Sequence, residues 1–89
     1  MANASDHIVL VTGAGAGIGA ATARRYANEG ARVIAADYQA DRLDDVRKGF
    51  EVNMRGLVLD LRNADAVFAA IKDLPDDFKE ISILVNNAG

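Results

Sequence analysis

The sequence predicts an α/β domain built as the first half of a doubly wound parallel sheet. Four short apolar runs alternate with three stretches of helical periodicity, and a glycine-rich turn follows the first run. Residues 8–11 (IVLV) are continuously apolar and mostly β-branched, as in a strand buried on both faces. From Gly17 onward, Ile18, Ala21, Thr22, Arg25 and Tyr26 recur at helical spacing, and Gly30 offers a stop. Residues 32–37 (RVIAAD) form a second strand, after which Asp41 opens a helix with Leu43, Val46 and Phe50 on one face. A third strand is expected within 54–60, its apolar end at residues 57–59. Residues 64–74 read as an amphipathic helix through Val67, Phe68, Ala70 and Ile71, closed by Pro75, and residues 81–85 make the fourth strand. The order β-α-β-α-β-α-β calls for parallel strands joined by right-handed helical crossovers.

Bulk properties narrow the function classes. The 89 residues are 51% apolar and 26% charged, with no repeat, low-complexity tract or linker, so one globular domain over residues 1–89 is expected. The net charge of −3, without a cluster of Lys or Arg, predicts no nucleic-acid partner and no attraction to an anionic membrane. There is no cysteine, hence no disulfide framework and no thiolate metal site. Neither a signal peptide nor a run approaching the ~20 apolar residues of a membrane span is present, and a cytoplasmic setting is expected.

The chemistry concentrates in residues 12–19, TGAGAGIG. Gly13, Gly15, Gly17 and Gly19 alternate with small residues where a tight strand-to-helix turn needs positions free of a Cβ. The helix that follows presents unpaired N–H groups and about half a positive charge at its first turn, a site for a pyrophosphate. Two registers fit: Gly15, Gly17 and Ala20 match a general G-x-G-x-x-G/A dinucleotide pattern, and Thr12, Gly13, Gly17, Ile18 and Gly19 match Thr-Gly-x-x-x-Gly-Ile-Gly. Close packing of strand on helix would also explain glycines here. An acidic residue, Asp37, ending the next strand twenty positions after Gly17, favours the dinucleotide.

With these motifs the whole chain resembles the amino-terminal part of a short-chain dehydrogenase/reductase, a Rossmann-type fold with strand order 3-2-1-4. Besides TGAGAGIG, Asp60-Leu61 after the third strand is similar to the family's adenine-holding Asp-Val/Leu pair, and NNAG at 86–89 is similar to its hallmark after the fourth strand. The resemblance implies a cofactor site at Gly13, Ala16, Gly17, Ile18, Gly19, Asp37, Asp60, Leu61, Asn87, Ala88 and Gly89, and hydride transfer between a nicotinamide and an alcohol or ketone. It also implies that a full-length form is a homo-oligomer. Residues 74–78 and 81–89 are similar to bacterial dehydrogenases of 3-hydroxy acids.

Asp37 points to NAD over NADP, because a carboxylate accepts from both adenosine ribose hydroxyls and repels a 2′-phosphate. The family's NADP users generally carry a basic residue before the second motif glycine or after the acidic position. Here those places hold Ala16 and Tyr38.

The family's upstream Ser and Tyr-x-x-x-Lys pair have no counterpart. Tyr26 is followed four residues on by Gly30 and Tyr38 by Arg42, and Ser5 and Ser82 lie far in sequence from any candidate base, so no catalytic residue is assigned. His7, the only histidine, reads as a strand-entry residue, not a metal ligand, and Asp44-Asp45 and Asp76-Asp77 as solvated surface.

Two readings of the chain remain open: a catalytically inert fragment of an NAD-dependent dehydrogenase, and a stand-alone nucleotide-binding half-domain. A methyltransferase, which also places an acid after its second strand, fits TGAGAGIG and NNAG less well. In the order 3-2-1-4 the fourth strand is an edge exposing Ile81, Ile83, Leu84 and Val85, so self-association is expected.

Overall fold

A computed structural model describes residues 4–87. A single 3₁₀ turn, Ala4–Asp6, leads into β1 (Ile8–Thr12), α1 (Gly17–Asn28), β2 (Arg32–Asp37), α2 (Ala40–Arg47), β3 (Met54–Val58), α3 (Ala64–Lys72), a 3₁₀ turn at Asp76–Phe78, and β4 (Ile83–Asn86). The four strands form one parallel sheet in the order β3-β2-β1-β4. Register brings Thr12 opposite both Ala36 and Asn86, so the ends of β1, β2 and β4 share one rim. That rim, at the carboxyl ends of the strands where the order reverses, is where open α/β sheets bind ligands.

The central strands are buried on both faces because both faces carry helices or loops. On one side Val9, Val11, Val33 and Ala35 meet α1 and α2 through Ala20, Ala23, Ala27, Leu43 and Val46. The alanines let α1 lie close to the sheet, which brings its first turn against the end of β1. On the other side Ile8, Leu10, Ile34 and Ala36 are covered by Leu74 and Phe78, held where the chain turns after Pro75. Asn53 stitches the first layer by donating from Nδ2 to the carbonyls of Ala27 and Ala31, both at 2.9 Å.

Several boundaries differ from the periodicity. α2 ends at Arg47 because Gly49 adopts φ 88°, so Phe50 reaches the core from a turn instead of a helix face. α3 stops at Lys72, with Leu74 buried beyond it. None of its residues is buried, and Phe68, expected on the apolar face, is 74% exposed. β4 begins at Ile83, two residues later than the apolar run, and Leu84 on this edge is 62% exposed. An open groove of about 420 Å³ lies here, lined by Leu10, Val67, Ile71 and Leu84 among others.

These apolar side chains flank an edge whose backbone groups pair only with β1 among the described residues. The 89-residue chain is therefore expected to self-associate, with sedimentation shifting to larger species as concentration rises. A sharp monomeric boundary over the whole range would contradict this. Among the described residues, no helix is long and apolar enough to cross a membrane.

Ser82 lies far from His7 in sequence but next to it in space. The His7 Nδ1 and Ser82 Oγ are 2.9 Å apart, and the Ile8 N–H donates to the same Oγ at 3.1 Å. This clasp joins the entries of β1 and β4, at the end of the sheet opposite the rim described above. It ties the edge strand to the sheet and lies outside the site.

Candidate functional site

The glycine turn is built by backbone conformation first. Gly13 and Gly17 adopt φ 62° and 59°, the left-handed region that only glycine enters without strain. Around Gly17 no atom stands within 4 Å of where a Cβ would be, so its outer side is open. Gly19 is the opposite case. A Cβ there would overlap the Gly13 carbonyl oxygen and lie 2.8 Å from Asn87 Nδ2. α1 begins after Ala16, which is extended and offers no side-chain cap, so the first-turn N–H groups lack the side-chain acceptor many helices carry. A cradle with an open side and uncapped N–H donors suits a pyrophosphate. Ile18, in the same turn, is 76% exposed.

β4 locks onto this turn. Thr12 Oγ1 donates to Asn86 Oδ1 at 3.2 Å and accepts the Asn87 N–H at 3.0 Å, while Asn87 Nδ2 donates to the Gly13 carbonyl at 3.4 Å. The Asn pair thus reaches back to the TG of the glycine motif, a contact between residues 74 and 75 positions apart. Ala88 and Gly89, the other predicted residues of this motif, lie outside the described residues.

Asp37 ends β2, almost buried, with its carboxylate beside the same turn. Oδ2 accepts the Gly15 N–H at 2.9 Å and Oδ1 accepts the Gln39 N–H at 3.1 Å. The second bond is the local turn that an aspartate before a helix commonly makes, while the first aims the group at the glycine motif. A Cβ on Gly15 would come within 2.7 Å of Asp37 Oδ2 and 2.9 Å of the Arg42 Cβ. Gly15, set aside by the Thr-Gly-x-x-x-Gly-Ile-Gly register, is therefore required by this close approach. Its place in the more general glycine pattern was the signal for it.

An open cavity of about 600 Å³ extends from Gly13 and Asp37 past Tyr38 to Leu59, Asp60, Leu61 and Arg62. It draws Asp37 and the Asp60-Leu61 pair, which lie on different strand ends, into one concave surface. Asp60 does not stand free. Arg62 grips its carboxylate with Nε to Oδ1 at 3.0 Å and Nη2 to Oδ2 at 3.1 Å, and the Arg62 N–H adds a third bond at 3.0 Å. The Arg62 side chain, followed by its backbone N–H, holds the Asp60 carboxyl below the ordinary carboxylate range, and Asp60 raises the guanidinium in return. Arg62 escaped the sequence reading because a pair two residues apart carries no periodic signal. Among the described residues no group of three or more His, Cys, Asp or Glu is placed to hold a metal ion.

A family model described as short chain dehydrogenase matches residues 7–89. The chain belongs to the short-chain dehydrogenase family. Serine 3-dehydrogenase of Agrobacterium fabrum is 43% identical over 81 residues, which make up 91% of this chain and 32% of that protein. The NADP-dependent 3-hydroxy acid dehydrogenase YdfG of Escherichia coli K12 is 42% identical over 82 residues, 92% of this chain and 33% of that one. Among solved structures, the closed form of a serine dehydrogenase complexed with NADP+ superposes with a TM-score of 0.86 at 41% identity, covering 91% of this chain and 33% of its own. A short chain dehydrogenase of Bacillus anthracis gives 0.87 at 30% identity, covering 97% and 36%. The chain thus spans about a third of the length of the relatives it matches, and that third is the glycine-turn half of a short-chain dehydrogenase sheet.

Proposed function

We propose that this short-chain dehydrogenase segment, the dinucleotide half-domain over residues 1–89, binds NAD in preference to NADP. In this reading Gly13, Ala16, Gly17, Ile18 and Gly19 surround the pyrophosphate, Asp37 takes the adenosine ribose, Asp60 and Leu61 border the adenine, and Asn87, followed in sequence by Ala88 and Gly89, belongs to the motif that completes the site. The observation that carries the preference is Asp37. Its two oxygens each accept one backbone N–H and keep further lone pairs for two ribose hydroxyls. A 2′-phosphate there would meet a fixed carboxylate at a cost of about 4 kcal/mol per unit charge pair at 4 Å and an effective dielectric of about 20. Ala16 and Tyr38, at the positions flanking this site, supply no compensating cation.

Relatives named as NADP-dependent run counter to this preference, which rests on Asp37, Ala16 and Tyr38 of this chain. Bound NAD would supply hydride transfer to or from an alcohol or ketone. The names of the relatives suggest a 3-hydroxy acid as substrate. No Tyr-x-x-x-Lys occurs within the 89 residues, so no proton-transfer step is assigned to them. Calorimetric titration of the chain with both dinucleotides tests the reading. NAD is expected to bind at least about tenfold more tightly, a difference of about 1.4 kcal/mol. Equal or tighter binding of NADP would overturn it.

A further inference from the structure

We infer that Ser82 is a positioning residue for the crevice at the far end of the sheet. With His7 and Ile8 it sets the register of β4 against β1, and that register places Asn87 against the glycine turn. Its bearing on affinity rests on the dinucleotide reading above.

β4 is held from one side only. Among the described residues it pairs with β1 and with no other strand, and residues 79–82, which lead into it from buried Phe78, form neither helix nor strand. Val9, Leu10 and Val11 lie opposite Ile83, Leu84 and Val85, and Ile83 and Val85 pack on the face toward α1. A slip of two residues, about 6–7 Å, preserves the face of every side chain. It would put Ile81 and Ile83 where Ile83 and Val85 now stand, so the apolar pattern on that face accepts either register. Asn87 would then move the same length past the glycine turn.

Polar contacts choose between the two. One step before the Val9–Ile83 pair, the Ser82 N–H donates to the Ile8 carbonyl at 2.9 Å and the Ser82 Oγ accepts the Ile8 N–H at 3.1 Å. The hydroxyl proton has His7 Nδ1 at 2.9 Å and the Ile8 carbonyl at 3.5 Å, so the nearer imidazole nitrogen takes it and the ring carries its own proton on Nε2. The slip would leave Glu80 opposite Ile8 and carry Ser82 to Leu10, out of reach of both partners. At the other end of the same pairing, Thr12 meets Asn86 and Asn87. The two joins bracket the apolar pairs, and the one at Ser82 holds the strand so that the one at Asn87 forms.

The full chain, dilute and isotope-labelled, would be compared with its Ser82→Ala, Ser82→Thr and His7→Ala variants. Nuclear Overhauser contacts between β1 and β4 report the register without ligand, and titration with NAD reports the crevice. Ser82→Ala is expected to give a second set of signals for residues 83–87 and to raise the Kd for NAD about threefold, since affinity falls with the share of chains in the competent register. Threonine keeps the hydroxyl, and its methyl has room at this exposed position, so Ser82→Thr should restore both readouts. His7→Ala, which keeps the Ile8 bond, should show a smaller shift in the same direction and carries the comparison if Ser82→Ala does not fold. A single parental register with parental affinity in the alanine variants would overturn the role of Ser82, as would a Ser82→Thr chain that behaves like Ser82→Ala. A parent chain that binds no NAD would overturn the dinucleotide reading alone, because the register contacts are read without it.

Discussion

Asp37→Asn is expected to weaken NAD binding by about tenfold and to strengthen NADP binding, narrowing or reversing the preference between them. Asparagine keeps one carbonyl oxygen, enough to accept from Gln39 N–H or Gly15 N–H but not to serve both and the ribose as well. Loss of a charge-assisted bond to a ribose hydroxyl accounts for about 1.5–3 kcal/mol at most. The missing negative charge lifts the repulsion of a 2′-phosphate. Because Asp37 is only 8% exposed, the same change leaves a near-buried N–H without its acceptor, at about 1–3 kcal/mol of stability. Urea unfolding of the free chain measures that loss separately from the titrations. A variant that lost affinity for both dinucleotides by the same factor would show that Asp37 shapes the turn without reading the ribose.

The second large effect is expected at Gly19. Gly19→Ala places a methyl group on the Gly13 carbonyl and against Asn87 Nδ2, both of which hold the join between the glycine turn and β4. Backbone cannot rotate aside as a side-chain tip can, so the turn and the end of β4 must separate. A loss of about 3 kcal/mol or more is expected from overpacking of this kind. For a chain of this length the total stability is itself only about 4–13 kcal/mol. Gly17→Ala is the matched control. It meets no neighbour and costs only the left-handed strain of a non-glycine residue, about 1–2 kcal/mol. Chemical denaturation followed by circular dichroism should rank the two in that order. Similar losses would mean that conformation and not crowding governs both glycines.

The pH response of the crevice has a definite sign. Arg62 holds Asp60 below its usual range, so the Asp60–Arg62 pair is intact above the ordinary carboxylate pKa and is lost only as pH falls through the lowered one.

The amino-acid sequence by itself determined the order of elements, the parallel sheet and the position of the glycine turn. Those depend on local patterns: the unbroken apolar run before Thr12, the helical spacing after Gly17, and the twenty residues from Gly17 to Asp37. Boundaries followed less closely, since Gly49 ends α2 before Phe50 and α3 leaves Phe68 to solvent. In both places the hydrophobic period continued past the point where backbone geometry or the lack of a facing layer stopped it.

Only the tertiary structure decided which polar groups meet. Thr12 with Asn86 and Asn87, His7 with Ser82, and Gly15 with Asp37 lie from 22 to 75 residues apart in the chain. They come together because parallel crossovers bring distant strands side by side, with carboxyl ends on one rim and entries such as His7 and Ser82 at the other, a register that no local period encodes. The Arg62 grip on Asp60 is short in sequence but equally silent there, because it depends on the turn after β3 placing the two side chains side by side. The glycine turn, Asp37, Asp60-Leu61 and the Asn pair were legible as motif positions, and the contacts among them belong to the fold.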